Sequence, residues 1–144
     1  MPHLILEYSA NVGKASVGET TEFGPLLSQL HGVLSETAGI DVRNCKSRAR
    51  GADEYLVSEG GDLDAFVHLD IRFLDGRPVD LKRAVGSRCL DVLREWFADP
   101  ASALTLQITV EVHDIDRDTY FKYPEGTLSP LPNTTSVSGK TAPD

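Results

Sequence analysis

Pro2 stands directly behind the initiator Met1 and ahead of a strand-like run, His3-Leu4-Ile5-Leu6-Glu7-Tyr8. A small residue at this position normally lets the methionine be removed. Pro2 would then carry a free secondary amine. An α-amino group starts near a pKa of about 8, and burial of the cation lowers it, so such an amine suits a general base near neutral pH. The plainer reading is that a chain terminus tolerates proline because the missing N–H costs nothing there. A second feature is the alternation of Lys46, Arg48 and Arg50 with Ser47 and Ala49. On a strand all three cations share one face, as a solvated edge or as a wall that binds anions. The histidines, His3, His31, His68 and His113, show no ligand spacing and are read as hydrogen-bonded structural residues, so no metal or cofactor is expected. Cys45 and Cys89 match no metal or redox spacing. They read as buried thiols in a reducing cytosol.

These residues sit in 144 residues with 40% hydrophobic content and a net charge of −8. That suits one domain that buries about two-thirds of its unfolded surface. The acidic balance makes duplex nucleic acid and anionic membranes poor partners. The start of the chain lacks the basic and apolar regions of a signal peptide, and no apolar run spans a membrane. A cytoplasmic protein is expected.

The elements that must position Pro2 and the cations follow from periodicity. Leu4 to Tyr8 predicts a strand and Ser9 to Glu22 a polar loop. Gly24-Pro25 opens a helix whose stripe is Leu26, Leu27, Leu30, Val33 and Leu34, closed by Gly39. The signal from Asp41 to Val57 is weaker, and Gly60-Gly61 marks a turn. Ala65 to Leu74 is a strand with Phe66, His68, Asp70 and Arg72 on one face. After a turn at Asp75-Gly76, Asp80 to Phe97 forms the longest helix, ended by Asp99-Pro100. Leu104 to Val112 alternates as a long strand. Thr119 to Tyr123 reads as a short extended piece, and proline, glycine, serine and threonine dominate after Pro124. The expectation is an α+β domain over residues 1–126 with an extended or mobile tail over 127–144. Two β-α-β units form a four-stranded mixed sheet with two helices on one face, a ferredoxin-like layering. The other sheet face then needs a cover, for which another subunit is the simplest choice. The Leu104–Val112 strand is expected to supply apolar side chains to that interface.

The opening Pro2-His3-Leu4-Ile5-Leu6-Glu7-Tyr8-Ser9-Ala10-Asn11 resembles the N-terminus of the 5-carboxymethyl-2-hydroxymuconate isomerase family, within the tautomerase superfamily. Ala65-Phe66-Val67-His68, the Gly76-Arg77 pair and Tyr120-Phe121-Lys122 resemble it too. The likeness runs over residues 2 to 123. It implies a homotrimer with pockets near the subunit boundaries, Pro2 as catalytic base, and Arg77 on a substrate carboxylate. The family's arginine-serine-arginine run stands here as Lys46-Ser47-Arg48, so a second carboxylate contact falls to Lys46, with Arg43 or Arg48 in compensation. The loop from Asn11 to Glu22 is longer than the family's pattern. The implied substrate is a small anionic dienol, 5-carboxymethyl-2-hydroxymuconate or a close relative from homoprotocatechuate catabolism.

The residues suit that chemistry. One amine takes a proton from one atom and returns it to another, while cations steady the dienolate charge. Local cations must outweigh the acidic whole-chain field. Two other readings stand beside this one. Hydration or dehalogenation of unsaturated acids would need a water-activating carboxylate near Pro2, for which Glu7 or Asp53 would serve. A non-catalytic ligand-binding module on the same fold would need no free Pro2 amine.

Overall fold

The computed structural model describes residues 1–15 and 22–125. Four strands, β1 (His3–Ser9), β2 (Lys46–Ala52), β3 (Asp64–Leu74) and β4 (Thr105–Ile115), form one sheet in the order β2-β1-β3-β4. β1 pairs parallel with β2 and antiparallel with β3, and β3 pairs parallel with β4. The two parallel pairs are the two β-α-β units expected, joined back to back through β1 and β3.

Among the described residues four α-helices accompany the sheet: α1 (Ala10–Ala15), α2 (Gly24–Ala38), α3 (Val79–Trp96) and α4 (Ala98–Ala103). α2 buries Leu26, Leu30, Val33 and Leu34, and α3 buries Val85, Cys89 and Leu93. Both stripes meet Leu4 and Leu6 of β1 and Val67, Leu69, Ile71 and Phe73 of β3 in one core. Complete burial of each such side chain contributes about 1.5–3 kcal/mol before the entropy of ordering the chain is charged. Gly39 ends α2 at φ 67°, where its N–H and that of Ile40 satisfy the last carbonyls. Lys82 reaches Asp114 at 3.0 Å and ties α3 to β4.

Several expectations needed correction. The polar stretch after Ser9 begins as α1, with Val12 buried in the core; residues 16–21 of the expected loop lie outside the described residues. Its anchor is polar and therefore invisible to hydrophobic periodicity. The Ser9 hydroxyl accepts the Phe66 N–H at 3.0 Å, and the Asn11 amide donates to the Asp64 carbonyl at 2.9 Å. Asp99-Pro100 does not end helical structure. Phe97 closes α3, and Pro100 is buried in the first turn of α4, where its missing N–H costs nothing. β4 runs on to Ile115, and Arg117–Thr119 forms a 3-10 turn ahead of Tyr120. The expected tail lies outside the described residues from 126 on.

The largest correction concerns the open face of the sheet. Leu106, Ile108, Val110 and Val112 of β4 pack against the helix-side core. They cannot also serve a subunit interface on the far side. The register puts His3, Ile5 and Glu7, Lys46, Arg48 and Arg50, Phe66, His68, Asp70 and Arg72, and Thr109, Glu111 and His113 together on the open face. That face is mostly polar, with Ile5, Phe66 and the Leu74–Ile115 pair as its apolar members.

Candidate active site

Pro2 lies at the mouth of the central strand β1, with β2 on one side and β3 on the other. Its carbonyl accepts the Lys46 N–H at 3.1 Å, which starts the parallel ladder His3↔Lys46 and Ile5↔Arg48. On the other side His3 pairs with Arg72. One further step of the antiparallel register sets Phe73 across from Pro2. The Arg77 guanidinium stacks over the Phe73 ring, 4.9 Å from its centroid, and donates from Nη1 to the Leu74 carbonyl at 3.2 Å. The Lys46 backbone thus adjoins Pro2 on the β2 side, while Arg77, in the turn after β3, lies over Phe73, the register neighbour of Pro2 on the β3 side. The Gly76 turn at φ 110°, a backbone state that favours glycine, reverses the chain into α3 and leaves Arg77 at this end of the sheet.

Met1 is 2% exposed, although it stands apart from the helix–sheet core. The residue bonded to the Pro2 nitrogen therefore fills an enclosed space. Next to it, Tyr120 and His3 meet at 3.0 Å, Oη to Nε2, so the segment after β4 folds back across the start of β1.

The remaining sequence-level candidates separate along the strands. Lys46 and Arg48 share the open face and are both exposed, and the Lys46 ammonium donates to the Asn44 carbonyl at 3.3 Å. Arg48 stands three residues along from Pro2, about 10 Å at strand rise. Ser47 points the other way, towards α2, where its hydroxyl meets His31 Nε2 at 2.9 Å. Burial lowers the His31 pKa and favours the neutral ring. Arg43 is engaged with Asp41, its Nη2 2.7 Å and its Nε 3.0 Å from the carboxylate, and that pairing holds the Asp41 carboxyl below the usual range. Arg43 is thus spoken for within its own turn.

Neither carboxylate named for water activation is beside Pro2 within the chain. Glu7 lies five residues up β1, about 16 Å away at strand rise. Asp53 follows Ala52 of β2, the partner of Ser9, at the far end of the sheet. It lines a shallow recess of about 340 Å³ with Tyr55, Leu56, Asp62 and Asp64. That acidic lining repels a dicarboxylate.

One group escaped the sequence reading. His113, Glu111 and Asp70 converge on the open face, their ligand-type atoms all within 4.8 Å of one another. His68 Nε2 stands 3.5 Å from Glu111. The expectation that the histidines form no such constellation considered only spacing along the chain. The signal was the two-residue alternation His68-Asp70-Arg72 on β3 and Glu111-His113 on β4, which becomes a cluster once β3 and β4 pair in register.

A mixed four-stranded sheet of two β-α-β units with its helices on one face is a tautomerase-like fold. A family model described as 5-carboxymethyl-2-hydroxymuconate isomerase matches residues 2–125, and the chain belongs to that family of isomerases. It is 22% identical over 122 residues to the Escherichia coli 5-carboxymethyl-2-hydroxymuconate Delta-isomerase, covering 85% of this chain and 93% of that protein. The crystal structure of a 5-carboxymethyl-2-hydroxymuconate isomerase from Deinococcus radiodurans R1 superposes with a TM-score of 0.73 at 29% identity, over 84% of this chain and 87% of that one. The fold also matches a structure described as "Q0 fused 4-OT wild type symmetric trimer", with a TM-score of 0.59 at 17% identity over 87% of this chain and 94% of that one.

Proposed function

We propose that the chain, once Met1 is removed, is a cofactor-free tautomerase that converts 5-carboxymethyl-2-hydroxymuconate, or a close dienol carboxylate, to its keto isomer. The observation that carries this reading is the buried Met1 ahead of Pro2, whose carbonyl holds the Lys46 N–H, with Arg77 stacked on Phe73 at the same end of the sheet. Loss of Met1 would turn an amide nitrogen into a basic amine and open an enclosed space in front of it. The Pro2 amine takes the dienol proton and returns it to carbon, as acid–base exchange by one group requires. Arg77 holds a carboxylate with a planar fork. Lys46 offers a point charge to the second carboxylate, and Arg48 lies behind it on the same face.

The working unit in this reading is a homotrimer in the cytoplasm. The open sheet face supplies only a few apolar side chains, Ile5, Phe66, Leu74 and Ile115. Better support comes from Phe121 and Tyr123, 87% and 96% exposed at the end of the described residues, and from the exposed Leu56 and Leu63 of the β2–β3 connection. Apolar area of this kind is what a neighbouring subunit covers. Residues 127–144 stand outside the domain in this reading, and their composition builds no core of its own.

The test is to follow dienol absorbance with metal-free protein whose mass shows Pro2 as its first residue. Ketonisation well above the solvent rate is expected, together with trimer mass in sedimentation. A trimer that does not accelerate ketonisation of this or related dienols would leave the ligand-binding reading in its place.

A further inference from the structure

The cluster lies on the open face of β3 and β4, next to β1: Asp70 is paired with Ile5 and Arg72 with His3, which sets Asp70 three residues along from Pro2, about 10 Å at strand rise. Asp70 and Glu111 are directly paired across the two strands, an arrangement of like charges that costs stability unless something positive lies between them. His113 Nε2 lies 3.0 Å from Asp70 Oδ1 and 3.4 Å from Glu111 Oε2. Three donors bound to one ion at 2.0–2.2 Å stand about 3.0–3.6 Å from each other; the two separations from His113 fall in that range, and all three donors lie within 4.8 Å of one another.

The partners of the cluster point the same way. Asp70 Oδ1 is buried with no aligned hydrogen bond, while its Oδ2 accepts from Arg72 Nε at 3.0 Å. Arg72 thus holds the carboxylate and leaves the buried oxygen aimed at His113. A cation satisfies such an oxygen without a donor of fixed direction. His68 Nδ1 meets the Thr109 hydroxyl at 2.6 Å, which sets that ring with its Nε2 towards Glu111. Glu111 is the exposed member, 56% accessible, and has the freedom to swing its carboxylate onto an ion. Ligands oriented by such outer partners are the usual make-up of a metal site.

We propose that His113, Glu111 and Asp70 bind one divalent transition-metal ion per chain, braced by Arg72 and His68, as a structural clasp between β3 and β4. One imidazole with two carboxylates favours a borderline ion such as Zn²⁺ over Mg²⁺. Calorimetry with Zn²⁺ on the full-length, chelator-stripped protein tests this. Saturable binding of one ion per chain is expected, with Mg²⁺ in excess failing to compete. Asp70→Asn keeps the shape of the side chain, and His113→Ala removes the imidazole. Each should weaken Zn²⁺ binding at least tenfold, and Zn²⁺ should raise the melting temperature of the wild type only. Co²⁺ should give a visible ligand-field spectrum that His113→Ala loses. Unaltered Zn²⁺ affinity in both variants, one ion per three chains, or no saturable binding overturns the proposal. Melting curves without metal check that the variants remain folded.

Discussion

Arg77→Ala is the substitution whose effects divide most cleanly. The side chain contributes to the fold through its stack on Phe73 and its bond to the Leu74 carbonyl. A partly buried cation–π contact is worth about 0.5–2 kcal/mol and a hydrogen bond about 1 kcal/mol. The guanidinium is half-buried, so a net stability loss of about 1–2 kcal/mol is expected, or a melting temperature lower by roughly 2–8 °C in a domain of this size. That leaves nearly all of the protein folded at assay temperature. The loss in transition-state binding should be larger. Removal of a charge-assisted contact to a carboxylate, together with charge stabilisation of the dienolate, costs roughly 2–4 kcal/mol. At about 1.4 kcal/mol per factor of ten, kcat/KM falls roughly 30- to 1,000-fold. Arg77→Lys keeps the charge and loses the fork, and should fall between the two. The assay is initial-rate ketonisation at substrate well below KM, beside thermal melts of the same samples. A lower melting temperature with unchanged kcat/KM would make Arg77 purely structural and refute its role at the site.

Two further predictions rest on the helix side of the sheet. Burial lowers the His31 pKa, so the unfolded chain binds more protons there than the folded one. This contribution to stability is complete above the unfolded value near 6.5 and is lost as pH falls towards the lower folded value; urea melts at pH 7.5 and 5.5 should show a smaller acid-side loss in His31→Gln than in wild type. Burial pushes the Cys89 thiol up to about 12, against a weaker opposing effect of Arg88. Cys89 should therefore resist alkylation at pH 8 in the native protein and react only in denaturant, as peptide mass mapping would read.

Much of the architecture was legible because period-2 and period-3.6 patterns carry it. Leu26 to Leu34 and Val85 to Leu93 gave the two long helices, and Val67 to Phe73 the inner strand β3. Gly39 and Gly76 fell where the backbone takes positive φ. α1 was missed because its anchors are hydrogen bonds from Ser9 and Asn11 rather than an apolar stripe. α4 was missed because proline in a first turn looks like a terminator. The apolar residues of β4 were assigned to a subunit interface because alternation shows that a strand has an apolar face, not which layer that face meets. Pro2 was legible by position and Arg77 by family likeness, but that they share one end of the sheet required the pairing of β1 with β3. The Asp70–Glu111–His113 cluster required the register of β3 with β4.

The central claim is that the Pro2 amine is the base. The direct measurement is the pH–rate profile of protein whose intact mass shows Pro2 as the first residue, compared with the same chain blocked at that nitrogen by retained Met1 or by acylation. With Lys46 and Arg77 disfavouring the protonated amine, the free form should show a rising limb with an inflection below the 7.7–8.0 or so of an ordinary α-amino group. The blocked form should lose at least about 100-fold in rate, the low end of what general base catalysis contributes. Full activity from mass-verified, blocked protein would contradict the account and move the search to another base.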